Sequence, residues 1–278
     1  MNNIRDLKRK IEATSNTSKI TKAMELVSNS KKRLLETEFK NFSNYYNELE
    51  DIKDKLFVSD LKNEFLIENE SKRICYLLIT TDKGLVGGYN SNIYKEFNNI
   101  IKKYKNEFLL SIIGRNGYNY YKNKGLNLIN DKPYSFRDDI LFIDVNPLFD
   151  KLIELYKQKE YYELRIIYNN YVNPLVQEVK VEKIIPLENK TNKLESKMFY
   201  DINYYKVVDK FIPLYIKKKL FLDILNAKLS EHSSRIKTMT NANNKAKELL
   251  ESYNILYNKL RQQEITNSLN DVVAGIKE

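Results

Sequence analysis

Residues Ile74–Asn90 read ICYLLITTDKGLVGGYN. The apolar run Ile74 to Ile79 has the length and continuity of a strand buried on both faces. A loop holding three of the chain's seven glycines follows, and from Tyr89 the apolar period becomes helical. Strand, glycine loop, helix is the arrangement that cradles phosphates at a helix N-terminus. The spacing argues against that use here. A Walker A loop needs G-x-x-x-x-G-K-[ST], and in DKGLVGGY the lysine precedes the glycines. Gly84, Gly87 and Gly88 also miss the G-x-G-x-x-G fingerprint, with no obvious ribose-binding acid about twenty residues on. Asp82 has no second carboxylate beside it to share a Mg²⁺ ion. The expectation is a structural turn with close backbone packing at Gly84, Gly87 and Gly88, and no cofactor.

Working outward, the strand–helix alternation continues. It predicts a helix over Tyr89–Lys105, a second buried strand over Phe108–Ile113 and a helix near Tyr118–Lys124. Another helix follows Pro147 to about Lys157. Two β-rich runs, Glu163–Val172 and Val176–Ile185, then meet at Pro174. Such alternation predicts a small Rossmann-like α/β domain with a mostly parallel sheet. A basic, polar stretch from Glu188 to Asn203 leads out of it.

Apart from Gly275, every glycine and proline falls between Gly84 and Pro213. Two unbroken segments therefore flank the punctuated middle. In the first, Ile4, Leu7 and Ile11 start an apolar stripe that resumes at Ile20, Met24 and Val27. Phe42, Tyr45, Leu49, Ile52 and Leu56 follow with a and d spacing. Between them TSNTSK, Thr14 to Lys19, is too polar to hold a helix without outside support. In the second flank the stripe runs through Leu220, Ile224, Ala227, Ile236, Met239, Ala242, Ala246, Leu249, Tyr253, Leu256 and Leu260. Sixty residues of helix measure about 90 Å and need a partner for their stripe. The two flanks are expected to form a long antiparallel coiled coil. Residues 1–57 and 209–278 would supply its helices, and residues 58–208 the α/β domain.

Composition narrows the function. A chain of 278 residues, 42% hydrophobic and 30% charged, is expected to be soluble. No apolar run reaches the ~18 residues that span a bilayer, so no direct membrane insertion is expected. The single cysteine, Cys75, excludes an internal disulfide and fits a reducing cytoplasm. One histidine, His232, and one cysteine leave no zinc site. His232 is expected to be structural, since no catalytic dyad surrounds it. The formal charge of +10 admits nucleic acid, an anionic membrane surface or an acidic protein as partner, although an AT-rich coding bias also inflates lysine. The clusters Lys8-Arg9-Lys10, Lys31-Lys32-Arg33 and Lys217-Lys218-Lys219 lack interleaved stacking aromatics, which disfavours nucleic acid.

Four stretches together carry a resemblance. IRDLKRKIEATSNTSKITKAMELV opens the chain at residues 4–27, and TDKGLVGGYNSN closes the first strand at 81–92. SEHSSRIKTMTNA and YNKLRQQEIT stand at 230–242 and 257–266. In this order the chain closely resembles the gamma subunit, the central rotor shaft, of F-type ATP synthases. The resemblance implies a non-catalytic subunit whose terminal helices wind together inside a ring of three alpha and three beta subunits. Its α/β part would sit at the foot, against epsilon and the membrane c-ring or a substitute for it. It implies further that Arg261 and Gln262 bond a loop of a catalytic subunit, and that Thr266 packs against the N-terminal helix near Met24. Lys19, Lys22 and Met24 would lie level with the catalytic-subunit lever, and Val272, Val273 and Ile276 in an apolar bearing. The complex would be peripheral on the inner face of the plasma membrane. Ser268 departs from the acidic residue usual in the family. Two other readings stay open: the shaft of a divergent F1-like motor driving a cell-surface or motility machine, and a basic coiled-coil adaptor for nucleic acid.

Overall fold

Strand β1 (Ile74–Ile79) lies at the centre of a four-stranded sheet ordered β2-β1-β3-β4, and every residue of it is buried. β2 (Phe108–Ile113) and β3 (Glu163–Tyr171) flank it in parallel, pairing Ile74 with Phe108 and with Glu163. β4 (Gln177–Ile185) runs antiparallel on the far side of β3. The computed structural model describes residues 2–57, 61, 63–104, 107–136, 140–188 and 203–275. The sheet is mostly parallel, as the apolar runs require, because parallel strands are covered on both faces.

Alternate side chains of β1 serve the two faces. Tyr76 and Leu78 join Ile93 and Phe97 of α2 (Tyr89–Tyr104) and Tyr121 of α3 (Arg115–Asn123). Cys75 and Leu77 join α4 (Phe142–Lys157), Leu35 of α1 (Asn2–Leu56), and Ile216 and Leu220 of α5 (Asn203–Gly275). α4 starts at Phe142, upstream of the expected start after Pro147. The Asp144 carboxylate accepts the Leu141 backbone N–H at 2.9 Å there, and Pro147 sacrifices one helical hydrogen bond. α3 likewise starts earlier, at Arg115, because its first N–H groups are capped from the loop after β1. The basic stretch 188–203 lies almost wholly outside the described residues.

The chain divides into two compact units, Met1–Asn29 with Arg235–Glu278, and Ser30–Ser234. In each, α1 and α5 pair antiparallel. In the second unit Phe42 meets Phe221 edge-on at 4.9 Å and Tyr46 stacks on Tyr215 at 5.2 Å. Tyr204 bonds the Leu56 carbonyl there. In the first unit the Ser18 hydroxyl donates to Asn243 Oδ1 at 2.8 Å.

The inward seam differs in phase from the expected one. Within Ser30–Ser234, the inward residues of α1 include Phe39, Phe42, Tyr46, Leu49, Lys53 and Leu56, in steps alternating between three and four. Tyr45 and Ile52 point outward, 40% and 42% exposed. Lys53 occupies the place expected of Ile52, its ammonium 5.4 Å from the Tyr215 ring. A lysine in the seam hides the register from a search for apolar residues. In the other unit Thr14, Ser18, Thr21 and Ser28 face inward, while Ile20 and Val27 are 61% and 55% exposed. On α5, Asn243, Leu250 and Tyr257 turn inward and Leu249 and Leu256 turn out.

Candidate functional site

The glycine loop is a turn held by hydrogen bonds to its own chain. Gly87 has φ +58, whereas the neighbouring left-handed position belongs to Leu85 at φ +63. Thr81 holds the loop from within: its hydroxyl donates to Lys83 O at 2.8 Å and accepts from the Asn90 and Asn116 amides. The Asp82 carboxylate caps α3 by accepting the Arg115 N–H at 3.0 Å. The close backbone packing expected at Gly84 and Gly88 is found elsewhere. A Cβ on Gly84 would meet nothing within 4 Å, while one on Gly114 would lie 2.3 Å from Thr80 O. A Cβ on Gly117 would lie 2.5 Å from Thr80 Oγ1. Isolated glycines, not the cluster, mark the tight contact.

In open α/β sheets a ligand enters beyond the carboxyl ends of the strands, where the strand order reverses. Here that crevice, between the ends of β1 and β3, is filled by α5. Asn226 accepts the Tyr171 N–H at 2.7 Å, Ser234 donates to Val86 O at 2.7 Å, and Tyr89 donates to Ala227 O at 3.0 Å. Asn169 closes the rim by bonding Tyr89 O at 2.9 Å. A nucleotide would have to displace this helix.

The basic run at 217–219 is spent inward as well. Lys217 pairs with Asp150. Lys218 lies over the Phe142 ring, 3.5 Å from its centroid, and burial lowers its pKa. Lys219 pairs with Asp223 at 2.7 Å and Glu182 at 2.9 Å. Three adjacent ammonium groups, each engaged within the protein, offer no phosphate-binding stripe. Among the described residues no group of acidic, histidine and cysteine side chains could hold a metal.

The remaining surface of interest belongs to the Met1–Asn29 and Arg235–Glu278 unit. Its seam mixes polar with apolar side chains: Leu7, Met239 and Ala246 are buried in it beside Thr21, Ser28 and Asn243, and the Thr21 hydroxyl is satisfied within α1 by the Thr17 and Ser18 carbonyls, each at 3.0 Å. Asn243 is the outside support that the TSNTSK stretch needs. The apolar side chains Ile20, Leu26 and Val27 are on the outside instead. Lys19 is exposed, Lys22 pairs with Glu25 at 3.1 Å, and Met24 is half-buried. The signal for this inversion was available. Counting threes and fours from Ile4, Leu7 and Ile11 lands on Thr14, Ser18 and Thr21, never on Ile20.

Arg261, Gln262 and Thr266 are all exposed on α5. Thr266 does not pack near Met24: its hydroxyl donates to Gln262 O at 2.9 Å. With Ser18 opposite Asn243 in an antiparallel pair, Thr266 lies about 35 Å beyond Asn243 and Met24 lies before it. Ile265, Leu269 and Val272 form an exposed stripe at 53%, 61% and 60%. The Val273 side chain and Ile276 lie outside the described residues.

A family model described as ATP synthase matches residues 3–277. Among solved structures, a chain of the Euglena gracilis mitochondrial ATP synthase rotor is similar with a TM-score of 0.67 at 16% identity, over 95% of this chain and 99% of that one. A chain of the same organism's OSCP/F1/c-ring assembly gives 0.71 at 15%, over 99% and 94%. One from the Tetrahymena thermophila mitochondrial ATP synthase central stalk and c-ring gives 0.63 at 21%, over 80% and 99%.

Proposed function

Because the chain belongs to the gamma-subunit family of ATP synthases, a non-catalytic part of that complex, we propose that it is the rotor shaft of an F1-type ATPase. It carries torque between an alpha–beta ring and a membrane rotor, or another machine in that place. The observation that best supports this, beyond family, is the helix pair of the Met1–Asn29 and Arg235–Glu278 unit, which keeps Thr21, Ser28 and Asn243 in its seam beside Leu7, Met239 and Ala246 and leaves Ile20 and Val27 outside. A two-stranded coil bound mainly to itself would bury Ile20 and Val27; one lodged in a sleeve presents them to it. Such a pair has no three-fold symmetry, so each catalytic subunit meets a different face and a different conformation is favoured. Because linkage is reciprocal, nucleotide binding and release must push back on the shaft.

In this reading Arg261 and Gln262 bond a loop of a catalytic subunit, with Thr266 one turn on. Lys19, Lys22 and Met24 lie at the lever, and Val272 and Val273 in an apolar bearing. Epsilon and a c-ring, or a substitute, attach at the α/β domain. No helix among the described residues is long and apolar enough to cross a membrane, so attachment runs through the complex.

The deciding experiment is a pull-down of the tagged chain from its own cells. Alpha- and beta-like subunits are expected, and whatever co-purifies below them identifies the driven machine; neither subunit appearing would refute the shaft. The purified chain alone is expected to release no phosphate from ATP, because α5 fills the crevice; turnover that tracks this polypeptide through purification would contradict that. In the assembled ring, Arg261→Ala is expected to slow coupled ATPase turnover about tenfold, the value of one charge-assisted hydrogen bond, without loss of assembly. Unchanged rotation rates in single-molecule records would remove Arg261 from the contact.

A further inference from the structure

Asp223 lies on α5 within the Ser30–Ser234 unit and is 2% exposed. Its Oδ1 accepts from Lys219 at 2.7 Å and from the Tyr168 hydroxyl of β3 at 3.2 Å. Its Oδ2 is equally enclosed and meets no donor among the described residues. Glu182 of β4 shares Lys219 at 2.9 Å and holds Lys180 at 2.6 Å. Tyr46 of α1 is near enough that its ionisation and that of Asp223 oppose each other. One half-buried ammonium thus answers two carboxylates, with Lys180 balancing from the rim. A buried carboxylate with an oxygen left unbonded is costly, and a proton on that oxygen removes the charge.

We propose that Asp223 is a proton-binding site in the joint between α5 and the sheet, taking up a proton in mildly acidic solution and leaving the charge of Lys219 to Glu182 alone. Burial moves its carboxyl from 3.8 up to about 6; Lys219 pulls the other way and the charge of Glu182 adds to the rise. An acid that holds its proton more tightly in the folded chain adds stability in acid. That contribution is complete below about pH 4 and is lost as pH rises through about 6. Glu182 has the opposite sign. Burial pushes it up, but Lys180 and Lys219 bring it below its ordinary value, so its contribution is lost only at lower pH. The two windows separate.

The test uses the full chain and Asp223→Asn, with urea unfolding followed between pH 4.5 and 7.5. The wild-type unfolding constant is expected to rise relative to that of Asp223→Asn by on the order of tenfold or more as pH climbs through 6. Parallel profiles would overturn the proposal. Should Asp223→Asn fail to fold, ¹³C-carboxyl spectra of aspartate-labelled wild type decide: one aspartate titrating near pH 6 supports the site, and all titrating below 5 refutes it.

Discussion

Ile20→Asp combined with Val27→Asp is expected to leave the chain folded and to bar it from its ring. Both side chains are more than half exposed, and the inward places beside them belong to Thr21 and Ser28. Folding therefore gains little from either, and surface changes of this kind move stability by about 0.5 kcal/mol or less. In the assembly the cost is different. Removing the apolar contacts of two such side chains forfeits about 1 kcal/mol each, and placing two carboxylates against an apolar sleeve adds several more. A loss of about 4 kcal/mol corresponds to roughly a thousandfold in affinity. Circular dichroism and thermal unfolding should match wild type, while co-elution with alpha and beta subunits should vanish. Retained assembly at wild-type affinity would show that this face is not the bearing surface. Thr21→Asp is the contrasting variant: it strikes the seam and should destabilise the chain itself.

Gly114→Ala should be the most damaging single methyl group in the α/β domain. Gly114 has φ +96, and a Cβ there would lie 2.3 Å from the Thr80 carbonyl oxygen and 2.7 Å from its hydroxyl. Backbone strain of about 1–2 kcal/mol adds to overpacking of about 1–3 kcal/mol. The same atoms hold the start of α3, since Thr80 Oγ1 accepts the Gly117 N–H at 3.1 Å. A loss of about 2–5 kcal/mol in urea unfolding is expected, against no measurable change for Gly84→Ala. Equal effects at the two sites would overturn the assignment of close packing to Gly114.

Those two glycines show what the sequence conveyed and what it withheld. The strands were legible because a strand covered on both faces must be apolar throughout, and Ile74–Ile79 and Phe108–Ile113 are. The starts of α3 and α4 were not, because Thr80, Thr81 and Asp82 cap α3 from more than thirty residues away and Asp144 caps α4 ahead of a proline. The glycine cluster drew attention by density, whereas contact across the sheet, invisible in one dimension, singles out Gly114. The helix pair was legible as a pair but not in phase. Polar residues fill its seam from Thr14 to Ser28, and Lys53 enters it under an aromatic ring, so apolarity misreports direction. Arg261 and Gln262 came from resemblance alone; exposed side chains on a polar helix carry no local mark.

The alternating three-and-four spacing has a mechanical corollary. A repeat of three and a half residues falls short of the helix's own three and six tenths, so the two strands must coil about each other with a left-handed sense. A left-handed cord is chiral under twist: load applied along its lay draws the strands together, and load against it spreads them. Within either compact unit the pair therefore resists the two directions of turning unequally, a bias written by residue spacing and independent of any charge on its surface.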